Sequence, residues 1–259
     1  MISLLILAFK NQWSAQMKKP LEFLTGLIAL IINNSLYLYG IYLLAILSAA
    51  DDPLATKEYL VSTGIVLTSW GLLNVLGGGL YQLGSLIETG EVETYLAKPR
   101  SPLLLVAISK SNLISFGEII QGVITVIISS FFYGPFLGMR MLVVSVIMVF
   151  AFASIIIIIG TLSFFSSRGS QISNVILQVL LSLSLFPVGR ALKGREKWIL
   201  YFTPLIITAT LPRLIILEGE PFIFFTFITL TTFFLTISIY FFNLGLKFYK
   251  SKNYIFLNE

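Results

Sequence analysis

Between Arg140 and Arg168 the chain reads Met141-Leu-Val-Val-Ser-Val-Ile-Met-Val-Phe-Ala-Phe-Ala-Ser-Ile-Ile-Ile-Ile-Ile-Gly-Thr-Leu-Ser-Phe-Phe-Ser-Ser167, without one charged side chain. At 1.5 Å per residue a helix crosses about 30 Å of hydrocarbon in roughly 20 residues, so this run is long enough to span a bilayer. Five more uncharged runs of sufficient length lie around it, at 23–50, 59–87, 119–139, 169–189 and 221–246. Of 259 residues 57% are hydrophobic and 11% charged, against about a quarter charged in an ordinary soluble domain. A mean hydropathy of +0.94 has no place in a chain that must cover itself with water-facing surface. The sequence therefore predicts an all-α polytopic membrane protein with six transmembrane helices, a single domain over 1–259, and no segment large enough for a separate catalytic or nucleotide-binding domain.

The net charge of +5 reports orientation in such a chain, not nucleic-acid binding, because basic residues stay beside cytoplasmic helix ends. With both termini inside, ten Lys and Arg fall on the cytoplasmic side and seven outside, which places the protein in the cell inner (plasma) membrane with cytoplasmic ends. Cysteine and histidine are absent, removing disulfides, thiol chemistry and the commonest zinc ligands. At the start, Ile2, Leu5, Ile6, Phe9 and Trp13 follow helical spacing with Lys10, Gln12, Lys18 and Lys19 among or after them, so 1–19 reads as an amphipathic interfacial helix. Its charges follow the apolar residues, the reverse of a signal peptide.

The basic segment 190–220 contains an uncharged stretch, 198–212, too short for an ordinary span and broken by Pro204 and Pro212. A seventh crossing would move Lys247, Lys250 and Lys252 outside and worsen the charge bias. The expectation is a re-entrant or surface helical hairpin on the external side, capping an outward-facing vestibule.

Between the second and third spans lies the polar segment Glu88-Thr-Gly-Glu-Val-Glu-Thr-Tyr-Leu-Ala-Lys-Pro99. It reads as one short cytoplasmic helix, with Thr89 as N-cap, Glu91 and Glu93 at its positive start, Lys98 at its negative end and Pro99 as terminator. Val92, Tyr95 and Leu96 fall at i, i+3 and i+4 and form one apolar ridge. A helix this short is marginal alone, so the segment is either an ordinary polar connector or a docking element held by packing.

The run Thr-Gly-Glu-Val-Glu-Thr-Tyr-Leu followed by Lys-Pro-Arg-Ser-Pro-Leu-Leu, ending at Val106, resembles the stretch after the second membrane helix in permeases of the type 2 ABC transporter family, closest to a branch of uncharacterised permease subunits. Gly90, Glu91, Leu96, Pro99 and Pro102 carry the match. Phe186-Pro187, Trp198, Pro204 and Leu211-Pro212 resemble that branch's segment between the fifth and sixth helices, while Arg213 departs from it, standing where a small residue is expected. The resemblance implies a half-transporter. Two permeases, identical or related, would pair in the lipid bilayer, each served by a separate ABC ATPase subunit that binds ATP and Mg. This chain would bind no cofactor, and it has no phosphate-binding Gly-x-x-x-x-Gly-Lys loop. The segment 88–99 would be the coupling helix, with Glu88, Gly90, Glu91, Val92, Glu93, Tyr95, Leu96 and Pro99 as ATPase-coupling residues. Val92, Tyr95 and Leu96 would pack on the ATPase, and Glu91 and Glu93 would meet its basic groups.

Glu118, at the start of the third span, is read as the only acid inside a span region. It suits a substrate or proton site, although an interfacial or helix-pairing role near the cytoplasmic end is the preferred reading. Asn33 and Asn34, midway along the first span, either line a pathway or hydrogen-bond between helices, with helix pairing preferred. Gly71, Gly77, Gly78, Gly79 and Gly84 permit close helix approach in the second span, and the aromatic tail Phe233, Phe234, Tyr240, Phe241 and Phe242 reads as lipid-facing. The leading function is the permease of an ATP-driven exporter of amphiphilic or lipid-like compounds, since an apolar interior with few charges suits such cargo. A secondary transporter or channel, a non-transporting membrane scaffold and an intramembrane enzyme are the alternatives. The paired acids Asp51 and Asp52 sit in a loop beside Pro53, which disfavours the last.

Overall fold

In a computed structural model the described residues are 2–49, 53–166, 168–186 and 203–249, and every regular element among them is a helix. They are α1 (Ile2–Gln16), α2 (Pro20–Ala49), α3 (Pro53–Gly77), α4 (Leu83–Thr89), α5 (Glu93–Leu96), α6 (Pro102–Ser109), α7 (Phe116–Tyr133), α8 (Pro135–Gly160), α9 (Gly169–Leu185), α10 (Leu211–Leu217) and α11 (Pro221–Phe248). Five of them begin at a proline. The ring pre-sets φ for the first helical turn, where the missing N–H has no intrahelical acceptor anyway.

Among the described residues five stretches are long and apolar enough to cross a membrane: Pro20–Leu44, Ala55–Thr89, Leu113–Tyr133, Pro135–Phe164 and Pro221–Phe248. The expected sixth is shorter. The uncharged run 169–189 yields a helix that stops at Leu185, because Phe186, which precedes a proline, turns extended at φ −82° and ψ 141°. The α7–α8 turn also differs from the uncharged-run boundary at Arg140. It falls at Gly134, whose φ of +97° is open to glycine, followed by Pro135 at the start of α8. Arg140 lies inside α8, its long stem allowing a charge to sit past the helix start.

The long helix Ala55–Thr89 is the axis of the bundle and is buried along most of its length, whereas α2 is exposed along most of its. α3 and α7 cross at Gly71 and Gly122. A Cβ on Gly122 would stand 2.5 Å from the Thr68 nitrogen, and one on Gly71 would stand 2.8 Å from the Ile119 nitrogen, so the two backbones touch where no side chain intervenes. Gln121 ties α2 to α7, its Nε2 donating to the Ile31 carbonyl (3.0 Å) and to Ser35 Oγ (2.9 Å). In the aromatic tail, Phe242 is 1% exposed and packs against Phe164; it belongs to the core, not to the lipid face.

Residues 190–202 of the expected external hairpin lie outside the described residues, as do Pro187, Trp198, Asp51 and Asp52. The described remainder is not a surface element. A π-turn at Ile206–Thr210 runs into α10, and Leu205, Ile207, Leu211, Ile215 and Ile216 are buried. Pro212 cannot donate to the Thr208 carbonyl, which explains the widened turn. Arg213 is buried too, its Nη1 3.5 Å from Glu58 Oε2. Glu118 is therefore not alone among acids within the crossing helices: Glu58 and Glu88 lie toward the two ends of Ala55–Thr89.

Candidate functional site

Two features stand out: an exposed turn around α5, and a polar cavity among α2, α3, α7 and α9. The projecting turn is built differently from its sequence reading. Thr89 does not cap α5. Its Oγ1 donates back to the Ser85 carbonyl (3.0 Å) as the last residue of α4, and Gly90, at φ +82°, is the left-handed C-cap that reverses the chain. Only Glu93–Leu96 is helical beyond it. The reason is burial: Leu83, Leu86 and Ile87 continue the apolar face of the long helix to its end and carry the helix past Glu88.

This geometry splits the apolar ridge. Val92 is 0% exposed and Tyr95 half-buried, both packed into the chain's own core, while Leu96 is 36% exposed. The acids divide as well. Glu91 faces outward, but Glu93 Oε1 accepts a hydrogen bond from the Tyr249 hydroxyl at 3.1 Å, just beyond α11. Burial, and then the adjacent Glu93 carboxylate, push the Tyr249 hydroxyl up to about 12, so it remains a protonated donor at neutral pH. The outward tip thus presents Glu91, Thr94, Leu96, Lys98, Pro99 and Arg100, a mixed rather than acidic surface.

Glu88 also turns inward. It accepts from the Ser170 N–H at 2.7 Å and from Ser170 Oγ at short range, at the first turn of α9. α9 has no side-chain cap of its own, so Glu88 supplies one from another helix, a carboxylate at the positive end of the dipole. Gly169 and Gly84 let the segments meet: a Cβ on Gly84 would stand 3.1 Å from Ser170 Cα. Glu88→Ala is expected to lower stability by about 1–3 kcal/mol. A thermal double-mutant cycle with Ser170→Ala should show coupling of about 1 kcal/mol or more, and simple additivity would contradict the contact.

The cavity, of about 560 Å³, is lined by Asn33, Asn34 and Tyr37 of α2, Trp70 and Asn74 of α3, Tyr81 and Asn112 of the adjoining loops, Ser115, Glu118 of α7, and Gln178 and Ser182 of α9, with Leu30, Leu177 and Leu181 between them. The structure thus brings together Asn33, Asn34 and Glu118. Asn34 of α2 hydrogen-bonds Glu118 of α7 between the helices, and Gln121, a turn away from Glu118, adds a second tie between α2 and α7. The Tyr37 hydroxyl and Ser182 Oγ lie 2.5 Å apart and join α2 to α9 across the cavity rim. Sequence reasoning does not single out Asn74 and Gln178, although Asn74 is the one amide of α3 and carries the signal; Gln178 is one of three amides in α9, with Gln171 and Asn174.

The sequence pattern described as ABC-2 family transporter protein matches residues 54–253. The chain belongs to the ABC-2 transporter family. It is a multi-pass membrane protein of the permease type, and permeases of this family generally work with a separate ATPase. No curated protein and no solved structure matches this ABC-2 permease. Its matched region takes in the projecting turn, α9, α10 and every cavity residue except those of α2.

Proposed function

We propose that this ABC-2 permease is the membrane subunit of an ATP-driven exporter, working as a pair of permeases with a separate ATPase on each. The observation that carries the reading is the cavity: an amide- and carboxylate-lined space among membrane helices must be wet or occupied, as a transport pathway requires. The end bearing α5 faces the cytoplasm in this reading, which puts both termini there, and the cargo is amphiphilic. The projecting turn seats in the ATPase, and its motion biases the pathway between inward-open and outward-open states.

Glu88 and Glu93 give that motion a route. The first holds the start of α9, whose Gln178 and Ser182 form one wall of the cavity, and the second meets Tyr249 at the end of α11. A push on α5 therefore reaches two membrane helices through hydrogen-bonded contacts. The test is gentle purification of the tagged chain from membranes with identification of what remains bound. A nucleotide-hydrolysing subunit in near-stoichiometric amount is the expected result. Purification without one, together with transport that survives ATP depletion, would replace this reading with a secondary transporter or channel.

A further inference from the structure

We propose that the intramembrane cavity binds the positively charged head of a lipophilic cation, an inference that rests on the transport function above and names its substrate class. The wall carries one carboxylate, Glu118, and no lysine or arginine. Glu118 is only 8% exposed, and no basic side chain stands in the wall to neutralise it. A buried carboxylate without a counter-charge is costly, and a bound cation supplies that charge. An anionic head would meet Glu118 with nothing to offset the repulsion.

The remaining wall fits the same class. Trp70 and Tyr81 pack edge to face with ring centroids 6.3 Å apart, and both line the cavity; aromatic faces attract organic cations. The Ser115 hydroxyl and the amides of Asn74 and Asn34 hydrogen-bond the Glu118 carboxyl group and hold it in the cavity wall. Leu177 and Leu181 offer apolar surface to a hydrocarbon portion. A bare divalent metal ion fits poorly, because no group of three or more His, Cys, Asp or Glu comes together among the described residues.

The test uses the full chain in phosphatidylcholine nanodiscs and a pair of probes alike in shape and opposite in charge, tetraphenylphosphonium and tetraphenylborate, with binding measured by dialysis against empty nanodiscs. Saturable binding above the empty disc is expected for the cation alone. Glu118→Gln should weaken it by roughly tenfold or more, while Glu118→Asp, which keeps the charge, should retain the preference for the cation. Equal saturable binding of the borate, or cation affinity within about twofold of wild type in a monodisperse Glu118→Gln protein, overturns the proposal. If Glu118→Gln does not fold, the wild-type comparison of the two probes still decides. The two readings fail separately: selective cation binding by a chain that recruits no ATPase would sink the transport mechanism and leave the site standing.

Discussion

Gly122→Val is expected to destroy the native bundle, lowering stability by more than about 3 kcal/mol, which corresponds to a fall of roughly 10 °C in the unfolding midpoint of a chain this size. The obstacle is backbone, not a side chain free to rotate away. A Cβ at Gly122 meets the nitrogen of Thr68 at 2.5 Å and its Cα at 3.0 Å, so α7 must slide or separate from α3. That movement would take Gly71 off the Ile119 backbone and shift Glu118 relative to Asn74. The loss should appear as lower folded yield and an earlier thermal transition in detergent. Gly40→Val is the matched control, a glycine in α2 whose Cβ would meet nothing within 4 Å beyond its chain neighbours and its own helix backbone. It should melt within about 2 °C of wild type. Equal behaviour of the two variants would mean that α3 and α7 do not cross where the structure has them.

What the sequence discloses depends on which physical signal governs each element. Membrane crossing is a property of long uncharged runs, so the cores of α2, α3, α7, α8 and α11 are legible from residues alone. Their ends are less so. Charge is a poor boundary marker at Arg140, because arginine reaches several ångströms along its own stem, and the Gly134-Pro135 pair carries the backbone signal instead. A similar competition of cues decides the start of α5. Thr89 is a good N-cap by type, yet Gly90 after a continuing apolar face is the stronger mark of a helix ending. Phe186-Pro187 likewise announces the end of α9, which the uncharged run overshoots.

The candidate site is partly legible. Lone polar residues in apolar helices stand out, and Asn33, Asn34 and Glu118 do meet on one cavity wall. Which polar residue faces a cavity and which bonds between helices depends on helix rotation about its axis, and a helix exposed on most sides, such as α2, has too little apolar contrast to reveal that rotation. The inward turn of Glu88 and Glu93 is hidden for a different reason. The partners described for them, Ser170 and Tyr249, are uncharged and distant in sequence, so neither contact can be read from charge spacing. Arg213 is visible as an anomaly, and its burial beside Glu58 gives the anomaly a physical basis.

Leu96→Asp is expected to abolish ATPase recruitment and cargo-stimulated ATP turnover while the chain stays folded in the membrane. The expectation follows from how the ridge divides. Val92 is wholly enclosed by the chain itself, so Val92→Asp would place a carboxylate in the core and test only folding. Leu96, partly covered and at the outward side of α5, is the apolar side chain at the tip that remains available to a partner. An interface anchored by a leucine on a single helical turn loses its apolar contact and buries a new charge in the substitution. A cost above about 2 kcal/mol, some 30-fold or more in affinity, is the expected scale. Glu91→Gln, a change at the solvated rim, should alter affinity far less. The decisive measurement is the ratio of co-purified ATPase to permease, with the unfolding midpoint as the check on integrity. A folded Leu96→Asp protein that holds its ATPase as wild type does would show that α5 is not where the force enters. The hydrogen bonds from Glu88 to α9 and from Tyr249 to Glu93 would then brace a loop, with no part in moving the cavity walls.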